Sequence, residues 1–92
     1  MKTVRESENE KVLLVHDTVK VAGYRPRYYL WRDAGNYRVE VQLGNEWAVE
    51  DLGEDPDFAM NCYRAIRGGG VMPCTLSDIV TDLTWEKKLC KS

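Results

Sequence analysis

The residues of this 92-residue chain best suited to chemistry fall into four groups. The first is His16 with Cys62, Cys74 and Cys90, three thiols and one imidazole that could in principle hold zinc. Structural zinc sites pair their ligands about two to four residues apart, so that one knuckle carries two of them. Here the cysteines are separated by eleven and fifteen residues. Free, partly buried thiols are therefore expected, with no metal site and no disulfide framework. The second group is Thr75, Ser77, Asp78 and Asp82, a hydroxyl and carboxylate cluster in which the two acids lie one helical turn apart. A helix cap followed by a solvated helix surface accounts for that spacing. His16 is the only histidine and has no serine, cysteine or aspartate at a spacing that would build a triad. No catalytic residue and no cofactor are expected.

The third group is the triplet Gly68-Gly69-Gly70. Phosphate cradles need glycine amides aimed at the ligand, a helix N-terminus and usually a lysine with a serine or threonine. Pro73 removes one amide, no lysine lies nearby, and the triplet follows a helical pattern instead of a strand. It reads as the linker that ends a helix.

The fourth group is a matter of charge distribution. From Lys20 to Arg38 there are five bases against one acid, and from Glu46 to Asp57 six acids and no base. The basic stretch is interleaved with Tyr24, Tyr28, Tyr29 and Trp31, a mixture able to stack on and neutralise single-stranded nucleic acid. The net charge of −2 runs against that reading, because such binders are usually basic. Adjacent strands of opposite charge can also pair across a sheet.

These groups must be positioned by the elements the pattern implies. A chain of this length makes one domain, residues 1–92. Residues 1–10 are polar and are expected to be frayed or in a loose edge strand. Strands are expected over about 11–50. Lys11 to His16 is apolar and branched, Asp17-Thr18 resembles a turn, and Arg27 to Asp33 is aromatic enough for a strand. Asp33 to Asn36 has turn chemistry, and Tyr37 to Leu43 alternates with a period of two, the mark of a half-buried antiparallel strand. Gly44-Asn45 supplies a second hairpin turn before Glu46 to Glu50.

Helices are expected at about 56–67 and 76–89. Asp55 can cap the first, Pro56 suits its first position, and Phe58, Cys62 and Ile66 with Ala59 and Tyr63 make one apolar stripe. Gly68 is placed to end it in a left-handed cap. Thr75 to Asp78 resembles a capping box, and Leu76, Ile79, Val80 and Leu83 form the second stripe. The fold class is therefore α+β: an antiparallel meander of about four strands with two C-terminal helices packed on one face, a two-layer sandwich.

Val71 to Asp82 reads V-x-P-x-T-L-x-D-I-V-x-D. This string resembles the C-terminal signature of a small uncharacterised bacterial family, chiefly of Clostridia-type Firmicutes. The Val39-Glu40-Val41 strand and the acidic loop before Asp55-Pro56 are similar as well. The resemblance implies a short meander followed by helices and carries no activity.

Two helices cover only one side of a sheet, so one of the pairs Tyr28/Leu30 and Tyr29/Trp31 must lie on the open side. The sequence leaves the hairpin register open, and one residue of slip exchanges the faces. The reading is a non-enzymatic protein-interaction module, self-associating through the sheet face or edge, with Arg27, Tyr28, Tyr29, Trp31, Arg32 and Arg38 as contact residues. The alternative is a nucleic-acid binder using the segment 25–38. The chain has no apolar run long enough to span a membrane, and Met1 to Glu8 lacks the apolar core of a signal peptide, so a cytoplasmic protein is expected.

Overall fold

The computed structural model describes the backbone of residues 11–91 and the side chains of residues 11–85, so the expectation for residues 1–10 lies outside the described residues. Four strands, β1 (Lys11–Thr18), β2 (Arg27–Asp33), β3 (Asn36–Leu43) and β4 (Glu46–Gly53), form one antiparallel sheet in sequence order. Two helices follow, α1 (Pro56–Gly68) and α2 (Leu76–Lys91), joined through a 3-10 turn at Pro73–Thr75. The fold is α+β, as the pattern of strands followed by helices implies.

Turn chemistry sets the hairpins. Ala34 and Gly35 both have positive φ (54° and 88°), the two-residue connection whose twist matches that of paired strands. Asp17 and Thr18 are not a turn but the end of β1, paired with Tyr28 and Arg27, and β4 runs past Glu50 to Gly53.

Two bulges break the alternation. In β1 Leu13 faces Trp31 and Val15 faces Leu30, which leaves Leu14 as the extra residue. In β4 Asp51 faces Arg38 and Gly53 faces Tyr37, which makes Leu52 the extra residue and lets it enter the core.

The core lies between the sheet and the helices. Tyr28 and Leu30 of β2 and Val39 and Val41 of β3 meet Ala59, Cys62, Tyr63 and Ile66 of α1. Leu76 and Val80 of α2 complete it, with Ile79 and Leu83 partly buried beside them. Helix α1 lies over β2, β3 and β4, while α2 packs chiefly along β4. Asp55 caps α1 as expected, its carboxylate accepting from the amides of Asp57 and Phe58.

The helical layer differs from the expectation in three details. The left-handed residue is Gly70 (φ 64°), two positions beyond Gly68, which still belongs to α1. A Cβ at Gly70 would stand 3.1 Å from both γ-methyls of Val21, so the left-handed backbone favours glycine and a side chain there would also crowd Val21. The Thr75 hydroxyl donates to the Met72 carbonyl, and α2 is entered through the 3-10 turn instead of a capping box. At its far end α2 extends to Lys91, where a tail was expected.

Candidate interaction surface on the open side of the sheet

Residues directly opposite one another in an antiparallel pair share a face. Because Tyr28, Leu30, Val39 and Val41 point to the helices, Arg27, Tyr29, Trp31 and Asp33 of β2 point the other way. On β3 their neighbours are Gln42, Glu40, Arg38 and Asn36, and on β4 Trp47, Val49 and Asp51 follow. None of the described elements covers this side.

The middle of the face is an aromatic row. The His16 ring stacks on Tyr29 with centroids 4.7 Å apart and planes within 8°, and Tyr29 stacks on Trp31 at 6.2 Å. The Lys11 ammonium sits 4.5 Å from the Trp31 ring centre, a cation over an aromatic face. Trp31 and Tyr29 are half-buried, and Trp47, toward the β4 edge, is 66% exposed.

Glu40 anchors the row. One oxygen accepts from the Trp31 indole N–H at 2.9 Å, the other from the Gln42 amide at 2.7 Å. Arg38, beside it, is half-buried, and its Nε is shielded from solvent with no hydrogen-bond partner among the described residues. A guanidinium carries five donors and usually finds an acceptor when buried. Its cross-strand neighbour Asp51 does not pair with it. Among the described residues the one ion pair is Arg67 with Asp17, so the opposite charges of β3 and β4 do not bridge each other.

The expected contact residues split between the two faces. Arg27, Tyr29, Trp31 and Arg38 share the open face. Tyr28 does not: it is fully buried under α1 and its hydroxyl donates to the Val71 carbonyl at 3.1 Å, so it is a core residue and not a contact residue. Arg32 is exposed but stands on the helix side of the sheet, opposite Val12 and Tyr37. The face also contains Lys11, His16 and Glu40, which were not among the expected contact residues. Glu40 was legible from the alternation of β3, whereas the bulge at Leu14 disguised the parity of Lys11 and His16.

The groups with shifted titration lie elsewhere. On the helix side, the Tyr63 hydroxyl donates to Asp17 Oδ2 at 2.6 Å, and Arg67 Nη1 approaches the same oxygen at 3.2 Å. The Tyr63 hydrogen bond, with Arg67 adding, holds the Asp17 carboxyl below its ordinary value. Burial, reinforced by Asp17, pushes the Tyr63 phenol far above the usual tyrosine range, and burial raises Tyr28 as well. This cluster ties α1 to β1.

The two cysteines whose side chains are described differ in burial. Cys62 is buried in α1, Cys74 is exposed on the 3-10 turn, and the side chain of Cys90 lies outside the described residues. Among the described residues no three His, Cys, Asp or Glu side chains come together as a metal site would need. Asp78 and Asp82 are exposed on α2. The depressions among the described residues include one of about 400 Å³ beside Trp47 and Cys74 and one of about 130 Å³ between Arg25, Arg27 and Gln42. Among the described residues no helix is long and apolar enough to cross a membrane.

Compared with protein-family models, curated proteins and solved structures, the chain matches none of them.

Proposed function

We propose that this protein is a non-enzymatic protein-interaction module that self-associates through the open face of its sheet. The observation that carries the reading is the row of Tyr29 and Trp31, with Trp47 nearby, on a face that no described layer covers. An apolar and aromatic patch rimmed by polar groups is what protein interfaces use at their centres. The segment 71–82 that resembles the small Firmicutes-type family then serves as the joint of the opposite layer, away from the docking face.

Nucleic acid is the weaker alternative. The face carries Asp33, Glu40 and Asp51 alongside Lys11, Arg27 and Arg38. A phosphate backbone following the aromatic row would run over Glu40, where like charges repel. The side chains with shifted titration hold α1 to the sheet, which favours a structural over a catalytic use.

Sedimentation of the purified chain over a range of concentrations tests the proposal. The wild type is expected to dimerise, Tyr29→Glu to remain monomeric with unchanged circular dichroism, and Arg64→Glu on exposed α1 surface to behave as wild type. A wild-type chain that stays monomeric up to millimolar concentration overturns it.

A further inference from the structure

The open face is antisymmetric in charge along its two central strands. On β2 it presents Arg27, Tyr29, Trp31 and Asp33 in that order. Reversing the strand exchanges the cation with the anion and one aromatic ring with the other. On β3 it presents Asn36, Arg38, Glu40 and Gln42, and reversal again exchanges cation with anion and amide with amide. A surface built this way is complementary to an antiparallel copy of itself. That is the requirement of a two-fold interface, in which residue i meets residue j and j meets i.

Building on the self-association reading above, we infer that a second copy of this chain packs face to face about a two-fold axis that crosses the strands. The axis lies midway between the Tyr29–Glu40 row and the Trp31–Arg38 row. Each Arg27 then faces the second copy's Asp33, each Arg38 faces its Glu40, and the Tyr29 and Trp31 rings meet across the centre. Sheets packed in aligned fashion lie about 10 Å apart with strands within roughly 30° of one another, a separation that paired long side chains span.

The competing two-fold axis runs parallel to the strands between β2 and β3. It sets Arg38 over the second copy's Trp31 and Arg27 over its Gln42, with no carboxylate opposite either arginine. Arg38 already has a shielded Nε without an acceptor, and neither Arg27 nor Asp33 makes an ion pair among the described residues. The axis across the strands supplies the missing carboxylates and the other does not.

The size of the face fits. Four strands about 4.8 Å apart and eight residues long at about 3.4 Å each project to roughly 19 by 27 Å. Side-chain relief raises that toward the ~800 Å² per partner of a stable interface.

The experiment uses Arg27→Asp and Asp33→Arg in the full chain. Neither side chain is in the core, and circular dichroism checks that both variants keep the wild-type fold. Each single variant sets like charges against each other twice across the axis and is expected to self-associate at least about tenfold more weakly than wild type. Mixed in equal amounts, the two variants are expected to form a heterodimer, because both charge pairs are then opposite in sign. The double variant on one chain is expected to recover the homodimer. Native mass spectrometry and sedimentation read all of these species. If wild type dimerises but the single variants are unweakened, or mixing restores nothing, this arrangement is wrong while self-association stands. A monomeric wild type overturns both.

Discussion

The Tyr63 hydroxyl meets the Asp17 carboxylate at 2.6 Å, across 46 residues of sequence. The contact depends on the bulge at Leu14. Val12 and Val15 face the helix side of the sheet although three positions separate them, and Asp17 follows Val15 onto that side. A regular strand would carry Val12 and Asp17 on opposite faces. The same extra residue turns His16 outward onto Tyr29. One irregularity therefore sets both the tie between α1 and β1 and one end of the aromatic row.

Tyr63→Phe keeps the buried ring and removes the donor. With the Asp17 side chain 34% exposed, solvent screening limits the expected loss to about 1 kcal/mol. Urea unfolding should show a lower midpoint with an unchanged slope.

Acid should weaken the fold through Asp17. Its carboxyl is held below the ordinary 3.8, first by the Tyr63 hydrogen bond and then by Arg67. The unfolded chain therefore takes up this proton more readily than the native one. The stabilisation is complete above the ordinary value and is lost as pH falls through the lowered native value. Asp17→Asn is expected to be less stable than wild type near neutrality and to converge with it below that window. Parallel stability curves for the two proteins would contradict the assignment.

Alkali acts on the buried phenols with the opposite sign. Tyr63 and Tyr28 are raised above the ordinary 10.0. Their contribution is complete below that value and is lost as pH rises beyond it. In a pH titration of the denaturation midpoint, Tyr63→Phe should shrink the decline above pH 10.0.

Gly70→Ala forces a side chain into the left-handed region and against Val21. A loss of about 1–3 kcal/mol is expected. Gly68→Ala, in ordinary helical backbone with open space at the Cβ, should be neutral or better in the same thermal melts.

Asp55→Ala strips the cap from α1, leaving the Asp57 and Phe58 amides without their carboxylate. The expected cost is about 1 kcal/mol. Amide exchange at those two positions should accelerate more than at Ile66.

Most of the layer architecture was legible because it rests on local signals. The alternation of Tyr37 to Leu43, the turn residues at Asp33 to Asn36 and the Asp55-Pro56 start each carry a physical cause within a few residues. The faces of β2 were not legible. Tyr28/Leu30 and Tyr29/Trp31 are equally apolar, and only pairing with β3 and α1 decides between them. Asp17 looked like a turn former because its partner Tyr63 is remote in sequence. Gly70 could not be told from Gly68 without knowing that a Cβ there would stand 3.1 Å from the Val21 methyls.

The two bulges also bear on how far assembly can proceed. Long, flat, apolar sheet borders recruit further strands from other molecules. The border formed by β1 is apolar, with Val12, Leu13 and Leu14 exposed, but it is kinked at Leu14. The opposite border, β4, is kinked at Leu52 and carries Glu46, Glu50 and Asp51. Lateral strand addition is opposed at both borders, so the self-association proposed above would give a closed particle of fixed stoichiometry and not a growing ribbon.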